Sequence, residues 1–185
     1  MNETATTTRD ARRNEIIAAA WTMAAEEGWP AVTLRGLAKR LGLSAPAIYQ
    51  YFRDKEAIQT VLAAESADRC AAALATTAAT IDGPAKRIRA LGRAYVAFGL
   101  ANPGLYGMQR GLDEPVRAIL IEAFRDLVER KGSKGTPDDL ADRLGAVLHG
   151  FVTLALAARF EGGEQRAVIL AGEAVDDMVK GIARR

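Results

Sequence analysis

Residues 33–52 read TLRGLAKRLGLSAPAIYQYF, and the order of apolar, small and polar side chains in this stretch decides the fold. Leu34, Leu37, Ala38 and Leu41 recur three and four residues apart, which places them on one face of a helix. Leu43, Ile48 and Phe52 anchor a second helix against that stripe, and the small Ala38 lets the two helices cross closely. Thr33 and Ser44 stand where a hydroxyl can accept an unpaired backbone N–H of each first turn. Gly42 between them supplies the left-handed residue that ends the earlier helix. The spacing predicts helices over 34–41 and 45–52 joined by a tight turn, the parts of a helix-turn-helix. Facing outward on the second helix are Ala45, Pro46, Ala47, Tyr49, Gln50 and Tyr51, a small-residue tip followed by polar aromatics. Such a tip lets a helix N-terminus enter a major groove, while tyrosine hydroxyls and Lys55 reach phosphates on either side. Thr33, Ser44 and the N–H groups behind them also suit phosphate. Tyr49 and Tyr51 have a second reading as half-buried core aromatics.

Working outward, Ile16, Ile17, Ala20, Trp21 and Ala24 recur at helical spacing and predict a helix over 9–27. Asp54 is placed to cap a long Ala-rich helix that runs to about Thr80. Turn signals at Gly28-Trp29-Pro30, Gly42, Asp82-Gly83-Pro84, Asn102-Pro103-Gly104, Asp113-Glu114-Pro115, Lys131 to Pro137 and Gly162-Gly163 divide the chain into about nine helices. No stretch alternates for long with a strand period, so the fold class is all-α. The expected organisation is a polar, Thr-rich, disordered leader over 1–8, a three-helix domain over 9–55 and a larger helical domain over 56–185.

The formal net charge is only +2, which excludes a polycation that binds nucleic acid indiscriminately. Within residues 1–55, eight basic residues (Arg9, Arg12, Arg13, Arg35, Lys39, Arg40, Arg53, Lys55) face six acidic ones (Glu3, Asp10, Glu15, Glu26, Glu27, Asp54), so the whole excess lies there. Cys70 is the only cysteine and His149 the only histidine, so one chain cannot assemble a disulfide framework, a zinc site or a Cys-His catalytic pair. No apolar run approaches the ~20 residues needed to span a bilayer. These features lead us to expect a cytoplasmic protein with no cofactor and no membrane partner.

The pattern Gly42-x-Ser44-x-x-x-Ile48-Tyr49-x-Tyr51-Phe52, followed by Lys55-Glu56, resembles the tetracycline-repressor (TetR) family of transcriptional regulators, over roughly Arg9 to Glu56. The resemblance implies an N-terminal DNA-binding domain and a C-terminal ligand-binding and dimerisation domain. It also implies that Thr33, Tyr49, Tyr51 and Lys55 contact phosphates, and that Arg35, Ala45, Pro46, Ala47 and Gln50 lie at or near base edges. Two departures stand out. Ala24 occupies a position where the family usually has Phe, and the nearby Trp21 is expected to refill that volume. Ala45 and Ala47 replace longer polar residues, which leaves methyl contacts, Arg35, Gln50 and DNA shape to carry readout.

In the C-terminal domain, Thr136-Pro137-Asp138-Asp139 is a strong helix start, with Pro at the first position and acids in the first turn. Leu140, Leu144, Val147, Leu148, Phe151, Leu154, Ala155 and Ala158 form a wide apolar face on that helix. Val168, Ala171, Val175, Met178, Val179 and Ile182 repeat the pattern on the last one. Two such helices joined at Gly162-Gly163 suit a four-helix interface between two copies. Tyr95, Phe98, Tyr106, Met108, Gln109, Phe124, His149 and Phe151 are candidates for lining a cavity that takes a small apolar or amphipathic effector. The stretch from Tyr95 through Tyr106 and the pair His149-Gly150 resemble a branch of the family with a Trp-His-Gly signature, but Leu148 stands where that signature has Trp. His149 on an apolar face also reads as a packed core histidine. Asp138-Asp139 and Asp176-Asp177 are explained by helix dipoles and surface placement rather than by a metal.

The resulting expectation is a repressor, homodimeric through its last two helices, that an effector releases from a palindromic double-stranded operator. The alternative is a DNA-binding regulator without a small-molecule effector, controlled by a protein partner or by abundance. An enzyme is not expected, since no nucleophile-base pair or metal cluster can be assembled.

Overall fold

The computed structural model describes residues 3–106, 112–131 and 135–183. Among them the chain forms α1 (Glu3–Glu27), a 3-10 turn (Trp29–Ala31), α2 (Leu34–Arg40), α3 (Ala45–Tyr49), α4 (Lys55–Ala79), α5 (Pro84–Ala101), α6 (Pro103–Tyr106), α7 (Glu114–Lys131), α8 (Pro137–Leu156) and α9 (Gly163–Ala183), with no strand among the described residues. α1 starts at Glu3 rather than Arg9, so residues 3–8, expected to be a disordered leader, are helical. Neither Gly nor Pro interrupts this stretch.

Two compact units divide the chain. One holds the residues up to Ser66 together with α6, and the other holds the remainder from Ala67. The division therefore falls inside α4 and not at its start, because the first turns of α4 complete the N-terminal core. That core gathers Ile16, Ile17, Ala20 and Ala24 of α1, Leu37 and Ala38 of α2, Ile48 of α3, Phe52, and Ile58 and Leu62 of α4.

The turn between α2 and α3 is held as its residue types require. Gly36 N–H donates to Thr33 Oγ1 at 3.0 Å, capping α2. Gly42 has φ 66°, and Leu43 N–H reaches back to Ala38 O at 2.8 Å while Gly42 N–H bonds Lys39 O at 3.3 Å, the paired bonds of a Schellman ending. Ser44 behaves differently from expectation. It stands at the N-cap of α3, yet its hydroxyl makes no capping bond. Pro46 at the second position has no N–H to offer, and the N–H of Ala47 at the third goes to Ser44 O at 3.0 Å. α3 is also shorter than expected and ends at Tyr49, although Phe52 N–H still bonds Ile48 O at 3.0 Å.

Ala24 is fully buried, and its backbone carbonyl lies against α6. A Cβ added to Gly104 would stand 1.8 Å from Ala24 O, so the α6 backbone lies directly against the end of α1. Trp21, half-buried, packs on the same core.

In the second unit, α5, α7, α8 and α9 pack around Leu91, Tyr95, Leu120, Phe124, Leu144, Leu148 and Val175, all buried. Gly92 lets α5 approach α9, since a Cβ there would meet Val175 Cγ2 at 2.9 Å. Thr136 caps α8 through its hydroxyl, accepting from Asp139 N–H at 3.1 Å. Arg87 pairs with Asp126 at 3.0 Å, and Arg117 bridges Asp138 and Asp142 at 3.1 and 2.7 Å.

Gly42 tests the turn. Nothing lies within 4 Å of a Cβ added there, so Gly42→Ala meets only the backbone cost of a left-handed residue. We expect a loss of about 1–2 kcal/mol in urea unfolding, with a smaller loss for Gly42→Asn.

Candidate nucleic-acid interface

α3 is held by one face. Ile48 and Phe52 are buried in the N-terminal core, while Ser44, Ala45, Pro46, Tyr49 and Gln50 are exposed and Ala47 is half-exposed. Tyr49 keeps 55% of its surface accessible, which removes the reading of this residue as a core aromatic. Tyr51 is intermediate and packs partly against the core. A helix of five residues thus presents a small-residue tip and a row of hydrogen-bonding side chains to solvent.

The surrounding cations divide into two groups. Arg40 is committed to α1, bonding Glu26 at 2.7 Å with Glu27 at 3.8 Å; Arg53 pairs with Asp54 at 2.8 Å and Arg12 with Glu15 at 2.5 Å. Arg9, Arg13, Arg35, Lys39 and Lys55 have no carboxylate partner among the described residues. Of these, Arg35 and Lys39 are exposed on α2. Arg13 lies over the Phe52 ring at 5.0 Å, and Arg9 donates to Gln50 O at 3.3 Å.

Lys55 has a further structural task that the sequence reading missed. Its Nζ donates to Trp29 O at 2.9 Å and Pro30 O at 3.3 Å and lies 4.5 Å from the centre of the Trp29 ring. These carbonyls and the ring offset its unfavourable place at a helix start. The signal was present in the aromatic-proline pair Trp29-Pro30, but its partner, 26 residues away, is visible only in three dimensions.

The candidate effector residues are distributed between the units. Tyr95 and Phe124 are completely packed in the second unit, whereas Phe98, His149 and Phe151 there are half-buried. Phe151 stacks on Phe160 with ring centres 5.8 Å apart. Tyr106 is buried in α6, in the first unit. Met108 and Gln109 lie outside the described residues. Asp113 interacts electrostatically with both Cys70 and His149. Burial, reinforced by Asp113, pushes the Cys70 thiol up to about 12, which makes it inert as a nucleophile. Burial raises the Asp113 carboxyl, with His149 opposing, and burial lowers His149, with Asp113 opposing. Asp113 Oδ2 is buried without a hydrogen-bond partner. No group of three or more metal-ligating side chains occurs among the described residues, and no described helix is long and apolar enough to cross a membrane.

Comparison with known proteins bears on this arrangement. A family model for bacterial regulatory proteins of the tetR family matches residues 16–59, and one for the tetracyclin repressor-like C-terminal domain matches residues 88–178. The chain is 42% identical over 62 residues to the HTH-type transcriptional repressor Rv1474c of Mycobacterium tuberculosis; that match spans 34% of this chain and only 33% of the repressor. It is 26% identical over 156 residues to the uncharacterized HTH-type transcriptional regulator YobS of Bacillus subtilis, covering 80% of this chain and 81% of that protein. A protein of unknown function from Rhodococcus sp. RHA1 superposes with a TM-score of 0.75 at 25% identity, covering 92% of this chain and 95% of that one.

The environment of His149 predicts a pH dependence. Its pKa is lowered by burial, so below about pH 6.5 the unfolded chain binds a proton that the folded chain resists, and stability falls with pH. Asp113 acts with the opposite sign, since its raised pKa lets the folded state take its proton first on acidification. Comparing wild type with His149→Gln in urea at about pH 7.5 and 5.5 reads the first effect together with the release of Asp113 from His149, which acts in the same direction. Wild type should lose stability relative to the variant on acidification; identical pH dependence would contradict the burial of a neutral imidazole.

Proposed function

Because the chain belongs to the TetR family and is a transcriptional regulator with a DNA-binding domain, we propose that it is a repressor, that α3 enters the major groove of a palindromic operator, and that two copies bind together. The observation that carries this reading is the one-sided burial of α3, with Ile48 and Phe52 inside and Tyr49 largely exposed. Ala45, Pro46, Ala47 and Gln50 face base edges with Arg35, while Thr33, Ser44, Tyr49, Tyr51 and the remaining N–H capacity of Lys55 meet phosphates. The unused hydroxyl of Ser44 suits this role, since no capping bond competes for it. The relative named as a repressor supports repression over activation. The protein acts in the cytoplasm, where it reaches the operator.

Dimerisation follows from what α8 and α9 leave uncovered. Val147 and Leu154 on α8 and Val168 and Ile169 on α9 are exposed, with Leu154 at 47% and Ile169 at 50%. They supply a second apolar stripe beyond the face that packs inward, and a two-fold pairing buries it while presenting two copies of α3 to half-sites about 34–36 Å apart or a multiple. A small apolar or amphipathic effector in the second unit shifts the equilibrium by binding one spacing of the two α3 helices more tightly than the other. The unpartnered Asp113 Oδ2 beside half-buried His149 supports a polar anchor for that effector. The full burial of Tyr95 and Phe124 favours the alternative, a closed core and a regulator without an effector.

Two experiments test these assignments. In mobility shifts on the best duplex recovered from a random pool and on single-base variants of it, Tyr49→Phe should weaken binding to all sequences alike. Arg35→Ala should in addition relax discrimination at one position of each half-site by roughly 1–3 kcal/mol if it contacts guanine in bidentate fashion. Equal losses on every duplex for Arg35→Ala would remove its base-reading role. In sedimentation, Leu154→Glu and Ile169→Glu should each shift the dimer toward monomer; an unchanged dimer would place the interface elsewhere.

A further inference from the structure

A recess of about 700 Å³ opens at the trailing end of α3, lined by Thr8, Arg9 and Arg12 of α1 and by Gln50 and Tyr51. We propose that this recess is an additional DNA phosphate site, with Arg9 its principal cation and Arg12 its second; the inference rests on the operator-binding reading above. The C-terminal end of a helix carries partial negative charge that repels an anion, and Arg9 neutralises it by donating to Gln50 O at 3.3 Å. One such bond leaves most of the five N–H donors of the guanidinium available, and no carboxylate among the described residues competes for them. Arg12 also lines the recess, and because its guanidinium pairs with Glu15 at 2.5 Å it is the lesser of the two cations. Gln50 and Tyr51 belong to the surface already assigned to DNA, so a duplex engaged by α3 brings its backbone close to Arg9. The bond from Arg9 to Gln50 also links α1 to the residue that follows α3, so the recess is formed by two elements.

A salt titration of the full-length protein on its selected duplex tests this directly. Arg9→Gln keeps a donor for Gln50 O but removes the charge, and Arg9→Lys keeps the charge. Losing one phosphate contact per protomer should flatten the slope of log K against log salt by about 0.9, or about 1.8 for a bound dimer, because fewer counterions are released. Arg9→Gln should show this flattening with equal loss on matched and mismatched duplexes, and Arg9→Lys should retain most of the wild-type slope. A wild-type slope in Arg9→Gln, alongside intact specific binding by wild type, overturns the phosphate site and leaves the operator reading standing. A loss confined to particular sequences overturns it as well, since Arg9 would then be reading bases. Absence of specific binding by wild type itself would refute the operator reading on which the site rests.

Discussion

The burial of Ile48 and Phe52 in the N-terminal core is the contact on which everything else depends. Ile48 occupies the inward face of α3 and Phe52 anchors the chain just beyond it, and a helix of five residues has no other means of holding its place. Such a helix would not form alone, because nucleation costs more than one turn of hydrogen bonds returns. Its stability is borrowed from α1, α2 and α4, and the same dependence frees its outer face from any packing duty. Small residues at the tip and Tyr49 in the open are therefore tolerated by the fold and available for contact.

Around this contact the structure fixes angles by backbone means. The Schellman ending at Gly42 and the Thr33 cap define where α2 stops and starts, and Lys55 holds the 3-10 turn to the start of α4 through the Trp29 and Pro30 carbonyls. Gly104 brings the α6 backbone onto Ala24 of α1. α4 runs through the division between the units, and the chain passes from α5 to α6 through the single residue Asn102.

Much of this was legible in the sequence because it is local. The Thr33 and Asp54 caps, the left-handed Gly42, the start of α8 at Thr136 and the apolar stripes each depend on residues within a turn or two of one another. The errors share a cause. Ser44 was expected to cap because its position fits, but a proline two residues on removed the donor. The extent of α1 was underestimated because a polar Thr-rich segment gives no amphipathic signal even where it is helical. The division inside α4 and the partners of Lys55, Arg9 and Ala24 follow from contacts between segments far apart in sequence, which periodicity does not encode. For the effector residues, the pattern of aromatics distinguished neither fully packed side chains such as Phe124 from half-buried ones such as Phe151, nor the unit to which Tyr106 belongs.

Operator recognition by this protein requires that α3 be used in pairs. Selection of bound duplexes from a random pool by the purified full-length protein, followed by sequencing, measures this most directly. The account predicts enrichment of a palindrome whose half-site centres are separated by a whole number of helical turns, each of about 10–10.5 base pairs. An enriched single half-site, or no enrichment at low salt, would contradict it.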